Sequence, residues 1–249
     1  MTDHTALQEA RDSLPDPRRA LGEPAQRLVH AAFADWVGQT PQRPAVRQSG
    51  QVWTYAELEK QSRALARLLL RKDLRRGDVV GVLGPPCFGT IAALMAVLRS
   101  GAVLLPIDQK LPFLRQAVMM REAKARAILC AGGPWTGEGI AAFSVDPESG
   151  SSLEADDGAG LIPLPETAPD DPAYVFFTSG STGIPKGVLG CHKGLAHFVN
   201  WQRETFAVGP DDRVAQLTSL SFDPVLRDVF LPLTSGATLC LPEESDRLG

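Results

Sequence analysis

The stretch VVGVLGPPCFGTIAALMAVLRSGAVLLPID, residues 79–108, sets the class of the fold. Its first five residues are apolar, follow the turn pair Gly77-Asp78 and precede Gly84-Pro85-Pro86, the pattern of a short buried strand between turns. Residues 89–100 then read as a helix. Gly101 stops it, and 102–105 form a second apolar run. Strand, helix and strand joined by short Gly/Pro connections make a βαβ unit, which implies a parallel strand pair with a right-handed crossover.

The same alternation extends in both directions. Apolar residues at Leu28, Ala31, Ala32, Phe33 and Trp36 give residues 26–37 a helical period, ended by Pro41 and Pro44. Residues 51–54 are β-prone. Thr54 with Glu57 three positions later forms a capping-box pattern for a helix over 55–72, which places Leu58, Leu65, Leu68 and Leu69 towards one side. Downstream, 112–124 reads as a helix and 126–130 as a strand. Residues 131–171 are rich in Gly, Pro, Asp and Glu, and read as a surface insertion with one short strand near 140–145. An intense apolar strand at 174–177 follows, then a glycine-rich loop, a β-prone stretch from Val188, and a helix over 194–206. A strand at 213–217, a loop at 219–223, a helix at 225–233 and a strand at 238–241 complete the series. The expected class is α/β, with layered parallel or mixed sheets and flanking helices. Residues 1–25, rich in Pro, Arg and Ala, read as a loose leader, and 26–249 as one truncated large domain.

Composition excludes several functions. With 25 Lys+Arg against 29 Asp+Glu over 249 residues, the chain carries a formal charge of -4, no electrostatic footprint for nucleic acid. The basic cluster Arg71, Lys72, Arg75 and Arg76 reads as a solvated helix end. The apolar region 91–107 is broken by Arg99, Ser100, Gly101 and Pro106, so no membrane span is expected. The N-terminus lacks the apolar core of a secretory signal. Cys87, Cys130, Cys191 and Cys240 lie far apart, without metal-ligand spacing or a disulfide framework. Cys191, His192 and His197 would need a further ligand to hold zinc, and read instead as polar residues of a helix face. A reducing cytoplasm is the expected setting.

The segment TSGSTGIPKG, residues 178–187, packs three glycines, four hydroxyls and one lysine into ten residues. Glycine lets a backbone turn tightly and point its N–H groups inward. Ser and Thr add hydroxyl donors, and Lys186 adds a mobile positive charge. A loop of this kind after an apolar strand suits phosphate binding. The plain alternative is a flexible Gly/Ser connection, but such a linker needs neither Pro185 locked beside Lys186 nor the strong strand before it. Two familiar phosphate loops are excluded. Counting from Gly180, the sixth position of a G-x-x-x-x-G-K-[ST] loop falls on Pro185, and Lys186 is followed by Gly187. The dinucleotide fingerprint G-x-G-x-x-G is also absent here.

The run Phe177-Thr178-Ser179-Gly180-Ser181-Thr182-Gly183-Ile184-Pro185-Lys186-Gly187 resembles the signature loop of the adenylate-forming superfamily, which includes acyl-CoA synthetases, luciferases and the adenylation domains of nonribosomal peptide synthetases. Other blocks agree in the family's order. Residues Trp53 to Leu58 resemble its first core motif, Leu98 to Asp108 its second, and Ser221-Phe222-Asp223 its fourth. The resemblance covers about residues 26–245 and favours the amino-acid-activating branch.

That resemblance implies a half-reaction in which a carboxylate is joined to the α-phosphate of ATP and pyrophosphate is released. It implies that Thr178, Ser179, Ser181, Thr182 and Lys186 face the phosphates, with Lys186 and Thr182 assisting the chemistry. Gly180, Gly183 and Gly187 would shape the loop, and Mg2+ would lie between the phosphates. Asp223 matches the aspartate that pairs with the substrate's α-ammonium, and Phe222 lies beside it. Asp223 before Pro224 also fits a helix N-cap, and both roles are compatible. Arg227 lies one helical turn beyond Asp223, where the family lines its acid side-chain pocket. It would meet an acidic or polar substrate group, pair with Asp223 at i,i+4, or face solvent. Pro224 departs from the small residue often found there. His192 matches a histidine the family carries after the loop, expected to be structural.

The family's later motifs, including its metal-binding glutamate, ribose-binding aspartate and C-terminal adenylation lysine, have no counterpart in the sequence. The expectation is therefore a ligase fragment or one half of a split enzyme, inactive alone. Its partners would be a small carboxylic acid or amino acid, a missing C-terminal half and a carrier protein. A nucleotide-binding or regulatory module without catalysis is the alternative. An unrelated ATPase is disfavoured by the failed P-loop pattern.

Overall fold

The computed structural model describes residues 27–155, 162–178 and 185–242. The expected leader, 1–25, lies outside the described residues. The elements are α1 (Val29–Gln39), β1 (Pro44–Gln48), β2 (Gln51–Thr54), α2 (Tyr55–Arg71), β3 (Val79–Gly84), α3 (Phe88–Arg99), β4 (Val103–Asp108), α4 (Phe113–Glu122), β5 (Ala127–Cys130), β6 (Ala141–Ser144), β7 (Pro172–Thr178), β8 (Lys186–Cys191), α5 (His192–Thr205), β9 (Arg213–Ala215), α6 (Pro224–Leu233) and β10 (Thr238–Cys240). They form two mixed sheets. The larger has the order β6-β5-β3-β4-β7-β8 and the smaller β2-β1-β10-β9.

The βαβ unit is present as read: β3 and β4 are parallel, in register from Val79↔Val103 to Gly84↔Asp108, and α3 connects them. Gly101, at φ +74°, makes the turn from α3 into β4. A side chain is strained in that left-handed region, so glycine suits the position. All twelve residues of α3 are buried, which explains its apolar sequence without a polar face. It lies on β3 and β4, while α2 packs over it and reaches β1 and β2 of the smaller sheet. Arg99, at the end of this buried helix, is neutralised by Glu59 of α2, with Nη2 donating to Oε1 at 2.8 Å. The Thr54 capping box is complete: Oγ1 accepts from the Glu57 N–H at 3.2 Å, and the Thr54 N–H donates to Glu57 Oε2 at 2.6 Å.

One face of β4 feeds a second core. Val103, Leu105 and Ile107 join Met119 and Met120 of α4, whereas Leu104 faces the main core. The strand is therefore buried on both faces, as a parallel strand covered by helices should be. The two sheets are tied at one edge by Gln48, whose Nε2 donates to the carbonyls of Pro86 at 2.7 Å and Pro242 at 3.2 Å. Tyr55, at the start of α2, ties that helix to the smaller sheet through its hydroxyl, which donates to the Ala237 carbonyl at 2.8 Å.

Strand β1 differs from the sequence expectation. Pro41 and Pro44 end the helix, but Pro44 also begins a strand that pairs antiparallel with β2 and parallel with β10. Proline at the first residue of a strand costs the ladder little. Among the described residues, no helix is long and apolar enough to cross a membrane.

Candidate functional site

Strand β7 leaves the sheet at Thr178, and β8 returns antiparallel to it, with Thr178 opposite Lys186 and Phe177 opposite Gly187. The glycine-rich segment is thus the tip of a β-hairpin. Ser179, Gly180, Ser181, Thr182 and Gly183 lie outside the described residues. At the base of the tip, Thr178, Lys186 and Gly187 are exposed and Pro185 is buried. The Thr178 hydroxyl donates to the Lys186 carbonyl at 3.4 Å. A strand-to-helix phosphate loop would place a helix N-terminus at the anion. Here α5 starts at His192, beyond the far end of β8, where Cys191 pairs with Pro172. Six residues of strand separate the two by about 20 Å. The N-terminus of α5 is therefore too far from Thr178 and Lys186 to lend its dipole there.

Next to β7 runs β4, parallel to it with Leu104 opposite Tyr174. Four residues further along each strand stand Asp108 and Thr178, so both carboxyl ends open on the same edge of the sheet. In open α/β sheets this edge is where ligands bind. Asp108 organises it. Its N–H donates to Ser221 Oγ at 2.8 Å, its Oδ1 accepts from the Lys110 N–H at 2.8 Å, and its Oδ2 accepts from the Ser219 hydroxyl. The end of the second motif is thereby joined to the start of the fourth. A cleft of about 200 Å3 opens there, bordered by Pro85, Asp108, Lys110, Gln216 and Ser219. A larger cavity, about 280 Å3, lies between α1 and α5 against Val29, Trp36, Ala196 and Arg203. The smaller one adjoins Asp108 and Ser219.

The segment after Ser221 carries the other expected residues. Phe222 is 64% exposed, and Asp223 is exposed at the N-cap position of α6, with Pro224 following at the first helical position. The Asp223 side chain makes no cap hydrogen bond. The position is a cap, but its carboxylate remains uncommitted among the described residues. Arg227, one turn on, does not pair with Asp223. Its Nε and Nη2 donate to Asp228 Oδ1 at 3.0 and 2.7 Å.

Two further residues, Asp228 near this edge and Tyr174 within β7, were not picked out from the sequence. Asp228 is buried, and its Oδ2 accepts from the N–H groups of Leu217 at 3.3 Å and Thr218 at 3.1 Å. An acidic residue between apolar helical neighbours was the available cue. Tyr174 read simply as part of an apolar strand. Burial raises its pKa, and the nearby Cys191 and Asp223 charges add to the shift. Its ring lies across Gly190, where an added Cβ would fall 2.1 Å from Tyr174 Cζ.

His192 belongs to the core. It is 1% exposed, and its ring meets His30 edge-on with centroids 5.6 Å apart. Burial pulls both pKa values down to about 4. Asp171 partly opposes this at His192, while His192, Arg99 and Arg27 add to it at His30. Among the described residues, no three His, Cys, Asp or Glu side chains gather as a metal site.

Comparison with known proteins supports the resemblance. Residues 33–249 match the family model of the AMP-binding enzymes. Surfactin synthase subunit 2 of Bacillus subtilis (strain 168) is 33% identical over 241 residues, covering 92% of this chain and 6% of its own length. The nonribosomal peptide synthetase FmoA3 (S1046A), solved in its AMPPNP-bound form, superposes with a TM-score of 0.79 at 32% identity, covering 93% of this chain and 24% of that one. VinN, solved with L-aspartate, gives a TM-score of 0.77 at 27% identity over 88% of this chain and 58% of its own. The chain thus spans well under two thirds of each of these relatives. The hairpin loop, the sheet edge it shares with Asp108 and Asp223, and these matches together show that the chain belongs to the AMP-binding enzyme family, alongside the adenylation domains of nonribosomal peptide synthetases.

Proposed function

We propose that this chain takes part in ATP-dependent activation of a carboxylic acid, an amino acid, as its acyl-adenylate. A carboxylate oxygen of the acid attacks the α-phosphorus of ATP. The new O–P bond forms as the bond to the bridging oxygen of the β-phosphate breaks, and pyrophosphate leaves with that electron pair. Negative charge grows on the β- and γ-phosphates. The Lys186 ammonium, the hydroxyls of Thr178, Ser179, Ser181 and Thr182, and the N–H groups of a loop shaped by Gly180, Gly183 and Gly187 would stabilise it. Mg2+ would arrive on the phosphate oxygens and keep several waters. This suits a site edge whose described residues offer the nucleotide donors rather than an acidic cage.

Asp223 is the observation that carries the choice of an amino acid. It is an exposed carboxylate at a sheet edge, two residues beyond the Ser221 contact with Asp108, with no hydrogen-bond or ion-pair partner among the described residues. An α-ammonium would complete it through a charge-assisted hydrogen bond. Phe222 and Arg227 would contribute to the walls around the acid, with Arg227 offering a polar surface to its side chain. VinN, with its bound L-aspartate, supports an amino acid at such a site. In the context of a peptide synthetase, the acyl group would pass to a carrier protein in the cytoplasm. The 249-residue chain assayed alone is expected to be inactive.

ATP–pyrophosphate exchange, measured in the full-length natural protein with each amino acid in turn, tests this. Exchange that depends on one amino acid or a few related ones is expected. ATP hydrolysis without any acid would overturn the proposal.

A further inference from the structure

We propose that Asp228 is a positioning residue that sets the charge preference of the acid site by holding Arg227 in a charge-balanced wall. This rests on the proposed function. Arg227 and Asp223 are four residues apart on α6, so their side chains leave the same face about 6 Å apart along the axis. A cation at that place would ordinarily draw an acidic substrate side chain. Here two of its donors are spent on one carboxylate oxygen of Asp228, at 3.0 and 2.7 Å. The Asp228 side chain is 5% exposed and that of Arg227 is 41% exposed. The negative partner is therefore fixed inside the wall, while the guanidinium edge reaches the surface.

The other oxygen of Asp228 is fixed too. It accepts from the Leu217 and Thr218 N–H groups, at the start of the segment whose Ser219 and Ser221 are bound to Asp108. Asp228 cannot swing away to release Arg227 without also giving up its hydrogen bonds to these two N–H groups. Beside the free carboxylate of Asp223, the site thus presents a polar but nearly neutral wall. Asp223 selects the α-ammonium, and the Arg227–Asp228 pair selects an uncharged, hydrogen-bonding side chain over an acidic or a basic one.

The test is the ratio of kcat/KM for acidic to uncharged amino acids in ATP–pyrophosphate exchange by the full-length natural protein. Asp228→Asn preserves shape but removes the balancing charge, and should move that ratio towards aspartate and glutamate by about tenfold or more. An unchanged ratio, with all substrates slowed alike, would mean that Asp228 only supports the fold. A wild-type protein that already prefers acidic amino acids would also overturn the proposal. If circular dichroism shows that Asp228→Asn does not fold, Arg227→Gln serves instead. That change leaves the carboxylate unbalanced and should shift preference towards lysine and arginine, and no shift overturns the proposal. Asp223→Ala separates the two levels of inference. If it leaves dependence on the α-amino group intact, the proposed function fails. If it abolishes that dependence while Asp228→Asn leaves the ratio alone, only the role of Asp228 fails.

Discussion

The β7–β8 hairpin and the segment from Gln216 to Asp223 stand at the same edge of the molecule and are built in different ways. The residues proposed to meet the phosphates follow one another along the hairpin sequence. Thr178 and Lys186 face one another by strand register, and Val188 and Leu189 of the returning strand are 54% and 63% exposed. The second segment has little local structure of its own. It is held from β4 by Asp108 and from α6 by Asp228, residues 111 and 10 positions away from the hydroxyl and amide groups they bind. One wall is thus encoded by a contiguous motif, and the other by the meeting of distant residues. Substitutions in the first should change chemistry with little effect on folding. Those in the second should change substrate placement and packing together.

The largest expected effect is on the hairpin. Lys186→Ala removes the charge that would stabilise pyrophosphate as it leaves. The exchange rate of the full-length protein should fall by about 10^2–10^3-fold, the scale for losing one preorganised donor, with the melting temperature nearly unchanged. A tenfold loss or less would mean that the hairpin tip is not where charge develops.

A second test lies behind the hairpin, where His192 opens α5. His30 and His192 have folded-state pKa values lowered from 6.5 to about 4. Their neutral burial therefore contributes stability that is fully present above about pH 6.5 and is lost as pH falls towards 4. At 1.36 kcal/mol per pKa unit, one such group amounts to roughly 3 kcal/mol, so thermal melts of this chain should drop steeply between pH 6.5 and 4.5. His192→Leu should flatten that limb. A melt independent of pH in this window would show that the rings are hydrated or paired.

On the second wall, Asp223→Ala removes a charge-assisted contact worth about 1.5–3 kcal/mol. The KM for the amino acid should rise by about 10- to 100-fold while the KM for ATP stays put. Equal changes in both would place Asp223 outside the acid site. Ser221→Ala is the mildest change, breaking one hydrogen bond to Asp108 at a cost of about 1 kcal/mol. It should raise the amino-acid KM a few-fold through a looser Asp223. No change in KM would show that the Ser221–Asp108 bond does not position the segment.

The difference between the walls also governs what the sequence could reveal. The βαβ unit, the capping box of Thr54 and the alternation of elements were legible, because each depends on neighbours within a few residues. The loop was legible as a motif because its residues are contiguous. Its hairpin geometry was only half visible: the β-prone run from Val188 indicated a strand, but pairing direction is a tertiary property. Strand β1 was missed because Pro41 and Pro44 were counted only as helix breakers, and its partner β10 lies nearly two hundred positions away. Asp223 was singled out through its resemblance to the fourth motif, and Arg227 by its place one turn beyond. The pairing of Arg227 with Asp228 rather than Asp223 was not, since spacing offered both. Asp108 stood in the second motif, but nothing local tied it to Ser219 and Ser221. Tyr174 was hidden among apolar neighbours in a strand whose core role was already sufficient reason for it.

The account's central claim is that this edge joins an acid carboxylate to the α-phosphate of ATP, and the fate of the acid's own oxygen tests that most directly. The full-length natural protein would be given ATP and its amino acid labelled with 18O in the carboxylate, with hydroxylamine to take up the acyl group. Attack at the carbonyl carbon should release AMP carrying one 18O, with Lys186→Ala suppressing it. Unlabelled AMP, or ADP and phosphate with all the label left in the amino acid, would contradict the claim.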